Sequence, residues 1–462
     1  MESSSSTMHI AMYPWFAFGH ITPFLHLSNK LAQRGHRVSF LIPPKTESRI
    51  RHLNLFPDLI TFYPITFPLV DGLPSGAETT NDVPFSLISH IMTAMDNTQA
   101  EIQLLLRDLK PDFVLFDFAY WIPKLARPLG IISLHYSIVS LAATAYNAAP
   151  SSHLHSLNGR QVSEADVMKP PPGYPDSPIY LHLHEARDHL MMTAPKLGGV
   201  PLFDRMFMSL SECEAISVKT CREIDGLFVD YLKEEFGKPL LLTGPLIPEL
   251  PTSPLEQKWV HFLGRFKPGS VIYCCFGSEV ILTKGQFQEL VLGLELSGFA
   301  FLAALRTPVG AESIDEALPD GFPERVGGRG VVHGGWIQQL QILKHPSIGC
   351  IVTHCGWGTL LEALIMSKGQ LVLIPNRGDQ IHNARLMGNT FKVGVEVEKG
   401  EEDGLFTRES VCKAIKTVME EDTEVGKAVR ANCAKLRELI SREEFNSSYI
   451  DGFIHELRTL LK

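Results

Sequence analysis

The chain has 462 residues, of which 45% are hydrophobic and 20% are charged, and its formal net charge at pH 7 is −9. These values are typical of a globular protein with room for two ordinary domains. No basic stretch is long enough to follow a phosphate backbone, so we expect neither nucleic acid nor an anionic membrane as a partner.

The first residues and the cysteines predict a cytoplasmic protein. The start of the chain lacks the basic segment and apolar core of a signal peptide, and no run approaches the roughly 18 apolar residues of a membrane helix. The eight cysteines form no CxxC pair, and several occur in apolar, strand-like runs. We therefore predict free thiols in a reducing compartment, and a soluble monomer.

The first part of the chain alternates strand and helix patterns. Residues 9–18 and 37–42 are apolar runs typical of strands, and a helical pattern covers about 23–34 between them. Another strand pattern, 110–117, ends on the carboxylate of Asp117. Successive βαβ units of this kind predict a parallel sheet with helices on both faces.

Two segments interrupt the alternation. Residues 148–200 look irregular, and their proline-rich part, 169–178, cannot be helix or central strand. We interpret this segment as a surface excursion, either over an acceptor site or as a plain connecting loop. Closely spaced prolines then make 246–254 the best linker candidate.

After the linker the alternation restarts, which predicts a second domain of the same class. The later patterns are strands at 270–276, 299–305, 349–353 and 371–375 and a helix at 284–297. The fold class is therefore α/β, with two doubly wound Rossmann-like domains, 1–245 and 255–440, facing a central cleft. Residues 441–462 predict a helix that packs back on the first domain, with a buried stripe at Tyr449, Phe453, Leu457 and Leu460.

Ligands of doubly wound sheets bind beyond the carboxyl ends of the strands, so polar residues that follow strands are the candidates for chemistry. The run 349–362 changes from a strand through the small-residue turn His354–Thr359 into an apolar helix. Free N–H groups at that helix start suit a diphosphate, with His354 and Thr359 as further donors. Trp336 is suited to stack on a planar base, and Asp379 and Gln380 to bond sugar hydroxyls.

In the first domain, His20 follows the first strand within the sequence Gly19-His20-Ile21-Thr22-Pro23, and Asp117 ends a later parallel strand. A neutral imidazole can take a proton from an acceptor hydroxyl near pH 7. A carboxylate bonded to the other ring nitrogen would fix the tautomer and stabilise the imidazolium.

The stretch 336–380 resembles the secondary product glycosyltransferase box of the plant UDP-dependent glycosyltransferases, whose fold is called GT-B. The matching positions are Trp336, Gln339, His354, Cys355, Gly356, Trp357, Glu362, Asp379 and Gln380. So many fixed positions within 45 residues make the signal specific, and the G-H-x-x-P sequence and Asp117 extend the resemblance over nearly the whole chain.

The resemblance implies a role for each matching residue. Trp336 would stack on uracil and the backbone of Ile337 would bond its edge, while Gln339 and Glu362 would hold the ribose. The diphosphate would be contacted by His354, Gly358, Thr359 and Ser278, and the sugar by Trp357, Asp379 and Gln380. His20 would be the catalytic base and Asp117 its partner in an inverting transfer. No metal or further cofactor is expected, because helix N–H groups and His354 would neutralise the leaving UDP.

The chain departs from the resembled box in three ways. Gly358-Thr359 stands where the family usually has Asn-Ser, and Gln338 stands where it usually has proline. The spacing from Glu362 to Pro375 is one residue longer than usual, around residues 367–369, which could shift Asp379 and Gln380.

Other kinds of site and of protein have less support in the sequence. The segment 182–189, HLHEARDH, misses the HExxH zinc pattern, so we interpret its histidines as surface residues. Neither GxGxxG after a strand nor GxxxxGK[ST] is present, so dinucleotide and ATP sites have no support. A catalytically dead GT-B binding protein and a UDP-sugar epimerase remain as alternatives.

The sequence of residues 13–23, 117–121 and 378–380 looks most like that of one branch of the family. Members of this branch extend sugars already attached to flavonoids, anthocyanins or terpenoids. This resemblance implies a glycoside acceptor and a 1→2 sugar–sugar bond, with direct transfer to an aglycone as the alternative. UDP-glucose is the default donor, and UDP-xylose and UDP-rhamnose are the other possibilities. Phe18 could line the acceptor site or belong to the core.

Overall fold

The computed structural model of the chain describes residues 7–152, 162–192, 199–246, 248–250, 253–420 and 422–462. Within them, two parallel β-sheets each carry helices on both faces. The strands of the first sheet are β1 (His9–Tyr13), β2 (Arg37–Ile42), β3 (Ile60–Pro64), β4 (Phe113–Phe116), β5 (Ile132–Ser137), β6 (Ala215–Val218) and β7 (Leu240–Leu242). Those of the second are β8 (Val271–Cys275), β9 (Ala300–Ala304), β10 (Gly330–His333), β11 (Ile348–Thr353), β12 (Gln370–Leu373) and β13 (Gly394–Glu396).

Both sheets are doubly wound. Their strand orders are β3-β2-β1-β4-β5-β6-β7 and β10-β9-β8-β11-β12-β13. The direction of winding reverses between β1 and β4 in the first sheet and between β8 and β11 in the second. A crevice opens at each such switch point beyond the carboxyl ends of the strands, which is where ligands of this fold class bind. The predicted α/β class with two doubly wound sheets is confirmed.

Helices connect the strands of the first sheet and cover it. They are α1 (Phe18–Ala32), α2 (Pro44–Ile50), α3 (Ile88–Asn97), α4 (Gln99–Leu109), α5 (Ile122–Ala126), α6 (Leu141–Ala148), α7 (Glu164–Val167), α8 (Leu183–Met192), α9 (Leu202–Glu212) and α10 (Arg222–Phe236). Those of the remaining chain are α11 (Gln257–Leu263), α12 (Lys284–Ser297), α13 (Ile314–Ala317), α14 (Phe322–Val326), α15 (Gln339–Leu343), α16 (Trp357–Met366), α17 (Asp379–Arg385), α18 (Arg408–Met419), α19 (Glu424–Ile440) and α20 (Glu443–Leu460).

The first strand is shorter than predicted and the first helix begins earlier. β1 ends at Tyr13, and α1 already begins at Phe18, so that Pro23 lies inside the helix. The apolar run continues past the strand because Trp15 and Phe16 are buried in the connecting loop rather than in the ladder. His20 therefore lies in the first turn of α1.

The excursion after α6 is partly helical, which corrects the prediction of an irregular segment. Residues 169–178 are neither helix nor strand, as predicted, but α7 and α8 flank them. Residues 153–161 and 193–198 lie outside the described part of the chain. α8 contains His184 and His189 of the HLHEARDH segment, and His182 directly precedes the helix. The surface interpretation is wrong for His189. Its ring is buried and stacks on Phe203 at 4.6 Å, because Glu185, Ala186 and His189 share the inward face of the helix.

A buried ion pair joins this excursion to the second sheet's helices. Both carboxylate oxygens of Glu185 on α8 accept hydrogen bonds from Nη2 of Arg385 on α17, at 2.9 and 3.0 Å. Arg385 also donates to Glu396 through Nη1. Both members of the first pair are buried, so the excursion is fixed to the helix that begins at Asp379.

The segment between the sheets is attached to the second one. The chain leaves β7 at Leu242 and enters α11 at Gln257. Nε2 of Gln338 donates to the carbonyl of Pro254 at 3.0 Å, and its Oε1 accepts from the backbone N–H of Glu256 at 2.7 Å. A proline at position 338 could make neither contact, so this departure from the resembled box has a structural use.

The last helix, α20, returns to the first sheet. Ile450, Phe453, Ile454 and Leu457 are buried in one cluster with Ile10 of β1. The predicted buried stripe is therefore confirmed at Phe453 and Leu457. In the first turns of the helix, Ile450 is the buried residue instead of the predicted Tyr449. Tyr449 instead lies at the rim, where its hydroxyl donates to Glu223 at 2.7 Å.

All eight cysteines are buried free thiols, as predicted. Within the described ranges, the helices are too short or too polar to cross a membrane.

Candidate active site

His20 and Asp117 meet at the switch point of the first sheet. His20 lies in the first turn of α1, after β1, and Asp117 directly follows β4, the neighbouring strand. Nδ1 of His20 lies 2.7 Å from Oδ2 of Asp117. The pair forms because the carboxyl ends of adjacent parallel strands reach the same edge of the sheet.

The Asp117 carboxylate is held on both oxygens. Oδ1 accepts the backbone N–H groups of Trp15 and Phe118, each at 2.7 Å, while Oδ2 faces His20. Burial lowers the pKa of His20. The hydrogen bond and the charge of Asp117 raise it, with smaller contributions from Glu279 and Asp379. These effects outweigh burial, so the pKa of His20 lies above its usual value. The imidazole is 18% exposed. Because Nδ1 faces Asp117, Nε2 is the ring nitrogen that remains for a substrate.

Two phenylalanines border this pair. The Phe118 ring lies 5.4 Å from the His20 ring, and the sequence analysis did not single it out, although it directly follows Asp117. Phe18 opens α1 and packs on the core cluster that contains β1, with the Arg49 guanidinium 4.3 Å from its ring centroid. These contacts give Phe18 a packing role, and its place in an acceptor site stays a prediction.

The switch point of the second sheet brings Ser278 and His354 together, since they follow β8 and β11. The His354 ring lies between Gly277 and Gly356, where an added Cβ would come within 2.9 and 2.6 Å of it. Burial lowers the pKa of His354 to about 4, so the ring is neutral in the free protein. A neutral ring can donate a hydrogen bond to a phosphate oxygen, and the contact of His354 with UDP stays a prediction.

The turn after His354 ends at a helix with open N–H groups. α16 begins at Trp357, its N-cap Gly356 has no side chain to cap it, and Gly358 and Thr359 lie in its first turn. Such N–H groups and the helix dipole favour an anion. Cys355 has φ of 69°, a strained value for a residue with a side chain, and its carbonyl accepts from Nδ2 of Asn383 at 3.0 Å.

The nucleoside end of the predicted site combines an exposed ring with a paired amide and carboxylate. Trp336 is 78% exposed, whereas the next residue, Ile337, is buried. Nε2 of Gln339 donates to Glu362 at 2.8 Å. Burial raises the pKa of Glu362, and the bond from Gln339 and the charge of Lys219 partly offset that effect. The side chains of Gln339 and Glu362 are thus fixed by their contact with each other.

Asp379 and Gln380 begin α17, behind a glycine with φ of 60° and ψ of −133° at position 378. Burial raises the pKa of Asp379 to about 6, while Asn383 and the charge of His20 lower it. The charges of His20 and Asp379 therefore influence each other's pKa, although the two residues belong to different domains. Oε1 of Gln380 accepts the N–H groups of Asn376 and Arg377 at 3.1 and 3.3 Å, which fixes its side chain.

Asn383 is a residue that the sequence analysis missed. Its amide donates to Asp379 at 2.9 Å as well as to Cys355, and it accepts from the Ser140 hydroxyl of the first domain at 2.6 Å. Its position four residues after Asp379 on a helix is the signal that could have indicated it. Asn383 thereby connects the predicted sugar end, the diphosphate turn and the first domain.

The extra residue of the box lies far from Asp379. Residues 367–369 connect α16 to the start of β12, whose register with β11 pairs Cys350 with Gln370 and Thr353 with Leu373. The insertion is therefore at the amino-terminal edge of the sheet, while the site is at the carboxyl edge. Because the pairing of β11 with β12 is regular, the shift considered for Asp379 and Gln380 has no support in the strand register.

Trp357 lies between the domains. Its ring is buried, and its indole N–H donates to the carbonyl of Lys219 at 2.9 Å. The indole N–H is thus used in an interdomain bond, so any contact of Trp357 with a sugar would come from its ring or backbone. Another contact between the domains is the hydrogen bond that the hydroxyl of Thr80 donates to Glu279 at 2.7 Å.

No cluster of three or more metal-ligating side chains occurs in the described parts of the chain.

Comparisons with known proteins agree with this arrangement. The profile of the family described as "UDP-glucoronosyl and UDP-glucosyl transferase" matches residues 218–434. A cyanidin 3-O-galactoside 2''-O-xylosyltransferase of Actinidia chinensis var. chinensis is 58% identical over 98% of this chain and 99% of its own. An anthocyanidin 3-O-glucoside 2''-O-glucosyltransferase of Ipomoea nil is 52% identical over the full length of both chains.

Solved structures share the two-sheet architecture. The Glycyrrhiza uralensis protein UGT73P12, complexed with glycyrrhetinic acid 3-O-monoglucuronide, superposes with a TM-score of 0.80 at 23% identity, covering 99% of this chain and 96% of the other. The Arabidopsis thaliana protein UGT89C1, complexed with UDP-L-rhamnose, has a TM-score of 0.76 at 22% identity and covers 98% and 100%. The predicted GT-B fold is thereby confirmed.

Proposed function

Because the chain belongs to the UDP-glycosyltransferase family, we propose that it transfers a sugar from a UDP-sugar to the 2-hydroxyl of a sugar on a flavonoid or anthocyanin glycoside. The relatives that support this acceptor are named for such 2''-O-transfers and match nearly the whole chain at 52–58% identity. The observation that carries the catalytic part is the 2.7 Å contact between His20 and Asp117 at the cleft.

His20 acts as the general base in this proposal. Asp117 accepts a hydrogen bond from Nδ1–H of neutral His20, which leaves Nε2 free to take the proton of the acceptor hydroxyl. The acceptor oxygen attacks C1 of the donor sugar as the bond from C1 to the β-phosphate oxygen breaks, and that electron pair leaves with UDP. Attack from the face opposite the leaving group inverts C1, and Asp117 stabilises the imidazolium that forms.

The donor occupies the second domain. Trp336 stacks on uracil, Ile337 offers its backbone to the edge of the base, and the Gln339–Glu362 pair binds the ribose. Ser278, His354 and the N–H groups of Gly358 and Thr359 bind the diphosphate, and Asp379, Gln380 and the ring of Trp357 border the sugar. Glu362 lies in the second turn of α16, and each of the other groups follows a strand at the carboxyl edge of the second sheet or lies at a helix start beside it.

Glucose is the donor sugar we expect, and xylose is the main competitor, since the two relatives named above differ in this respect. We further propose that the protein works as a cytoplasmic monomer and needs no metal or cofactor besides the UDP-sugar.

The test offers purified protein an equimolar set of UDP-sugars and paired acceptors, each flavonoid supplied both bare and as its 3-O-glucoside. A mass gain on the glucosides alone supports a branch-forming transferase, and its size identifies the donor class. A gain on bare aglycones retains the transferase and refutes the glycoside acceptor. No gain with any pair, together with UDP binding, would favour a catalytically inactive binding protein.

A further inference from the structure

Lys219 is a buried lysine at the junction of the two domains. It directly follows β6 at the carboxyl edge of the first sheet and is 2% exposed. Its backbone N–H donates to the carbonyl of Ser137, and its own carbonyl accepts the indole N–H of Trp357, both at 2.9 Å. The residue is thus anchored in the first domain and touches the residue that opens α16 of the second.

The Lys219 ammonium lacks a partner in the described part of the chain. Among the residues that the structure describes, Nζ makes neither a hydrogen bond nor an ion pair. Burial lowers the pKa of Lys219, and the carboxylate of Glu362, acting at longer range, raises it. Burial lowers the pKa of His26 on α1, and the positive charge of Lys219 lowers it further. A desolvated ammonium without a hydrogen-bonded partner is costly, so this one calls for an anion that arrives from outside.

The central segment of the proposed donor site, residues 336–362, carries little positive charge. Between Trp336 and Glu362 the sequence contains a single lysine or arginine, Lys344, and its side chain is exposed. His354 is neutral in the free protein, and Gly358 has no side chain where the resembled family has asparagine. The open N–H groups of α16 would therefore meet a diphosphate without a cationic side chain from the turn and helix that carry them. Outside that segment, Arg306 donates through Nη1 to the carbonyl of Ser278 at 2.8 Å.

We propose that Lys219 binds the diphosphate of the nucleotide sugar and so contributes to the donor site a positive charge from the first domain. This inference rests on the proposed donor site, and it assigns to the acceptor-side domain a direct part in donor binding. It also explains why a buried ammonium is retained at the junction of the two domains.

The test compares uridine with UDP by isothermal titration calorimetry. We expect Lys219→Met and Lys219→Gln to weaken UDP binding by about 10-fold to 100-fold, the usual effect of losing a hydrogen bond to a charged group. Uridine binding should stay unchanged, because uridine lacks the phosphates. Lys219→Arg should bind UDP within a few-fold of the wild type, and Lys344→Met, the exposed control, should match the wild type with both ligands.

A structural role for Lys219 predicts the opposite pattern. Equal weakening of uridine and UDP, with a lowered Tm or a failure to fold in both neutral variants, would overturn the proposal, as would unchanged UDP binding. The proposal expects the ligand-free Tm of Lys219→Met to be equal to that of the wild type or higher, because a desolvated charge is removed. Trp336→Ala distinguishes a failure of the proposed donor site from a failure of the role proposed for Lys219. If this variant weakens the binding of neither uridine nor UDP, the donor-site assignment itself fails.

Discussion

Replacing Asp117 by asparagine tests the catalytic pair. The change keeps one side-chain oxygen for the N–H groups of Trp15 and Phe118, which bond Asp117 at 2.7 Å, so the fold should persist. It places an amide NH₂ opposite Nδ1 of His20, however, where the carboxylate oxygen lies at 2.7 Å. Nδ1 must then accept, the imidazole proton moves to Nε2, and that nitrogen can no longer take a proton from the acceptor.

The expected loss in kcat is about 10²–10⁴-fold, the usual contribution of a positioned general base. Since Asp117 raises the pKa of His20 while burial lowers it, the residual activity should also have its acid limb at lower pH than the wild type. The assay is the initial rate with UDP-glucose and a flavonoid 3-O-glucoside from about pH 5 to about pH 9, the range in which histidine titrates.

Asp112→Asn is the matched control. Asp112 lies just before β4, at the opposite end of that strand, and its carboxylate accepts the backbone N–H of His9 at 2.7 Å. The same chemical change there should leave both the rate and the pH profile unchanged. If Asp117→Asn keeps wild-type turnover, or if the two variants lose activity equally, His20 is not the base that Asp117 orients.

Three further predictions concern donor binding and stability. Trp336→Ala should raise the KM for the UDP-sugar by about 5-fold to 100-fold, since base stacking on an aromatic ring is worth about 1–3 kcal/mol, and leave Tm unchanged because the ring is exposed. Gly378→Ala should lower the free energy of unfolding by about 1–3 kcal/mol and weaken donor binding, because φ is 60° there, whereas Gly452→Ala on a helix should not be destabilising. Glu185→Gln should destabilise the protein by up to about 3–5 kcal/mol in thermal or denaturant unfolding, because it leaves Arg385 less well paired, and an unchanged unfolding free energy would contradict this.

The sheets and the main site were predictable because the chemistry follows strands directly. The run up to Thr353 is continuously apolar and the small-residue turn follows at once, so the position of His354 at the sheet edge came from the local sequence. The pairing of His20 with Asp117 required only that β1 and β4 be parallel neighbours. Strand ends were less certain, as Trp15 and Phe16 show, because burial in a loop produces the same apolar pattern as burial in a ladder.

Contacts between the domains could not be predicted in this way. Asn383 bonds Ser140 from 243 residues away, and Glu185 bonds Arg385 from 200 residues away. No local pattern relates such partners, since each depends on how two finished sheets face each other. The polar segment that contains Glu185 therefore looked like surface, although tertiary packing buries one face of its helix.

The return of α20 to the first sheet has a consequence for protein engineering. The core that contains Ile10 is completed by Ile450 and Phe453, so the first domain is discontinuous in sequence. A chimaera that exchanges acceptor halves between two such enzymes at residue 250 would combine one parent's sheet with the other parent's closing helix. Exchanges should therefore use two crossover points, the second near Ser441, so that α20 travels with the half that it covers.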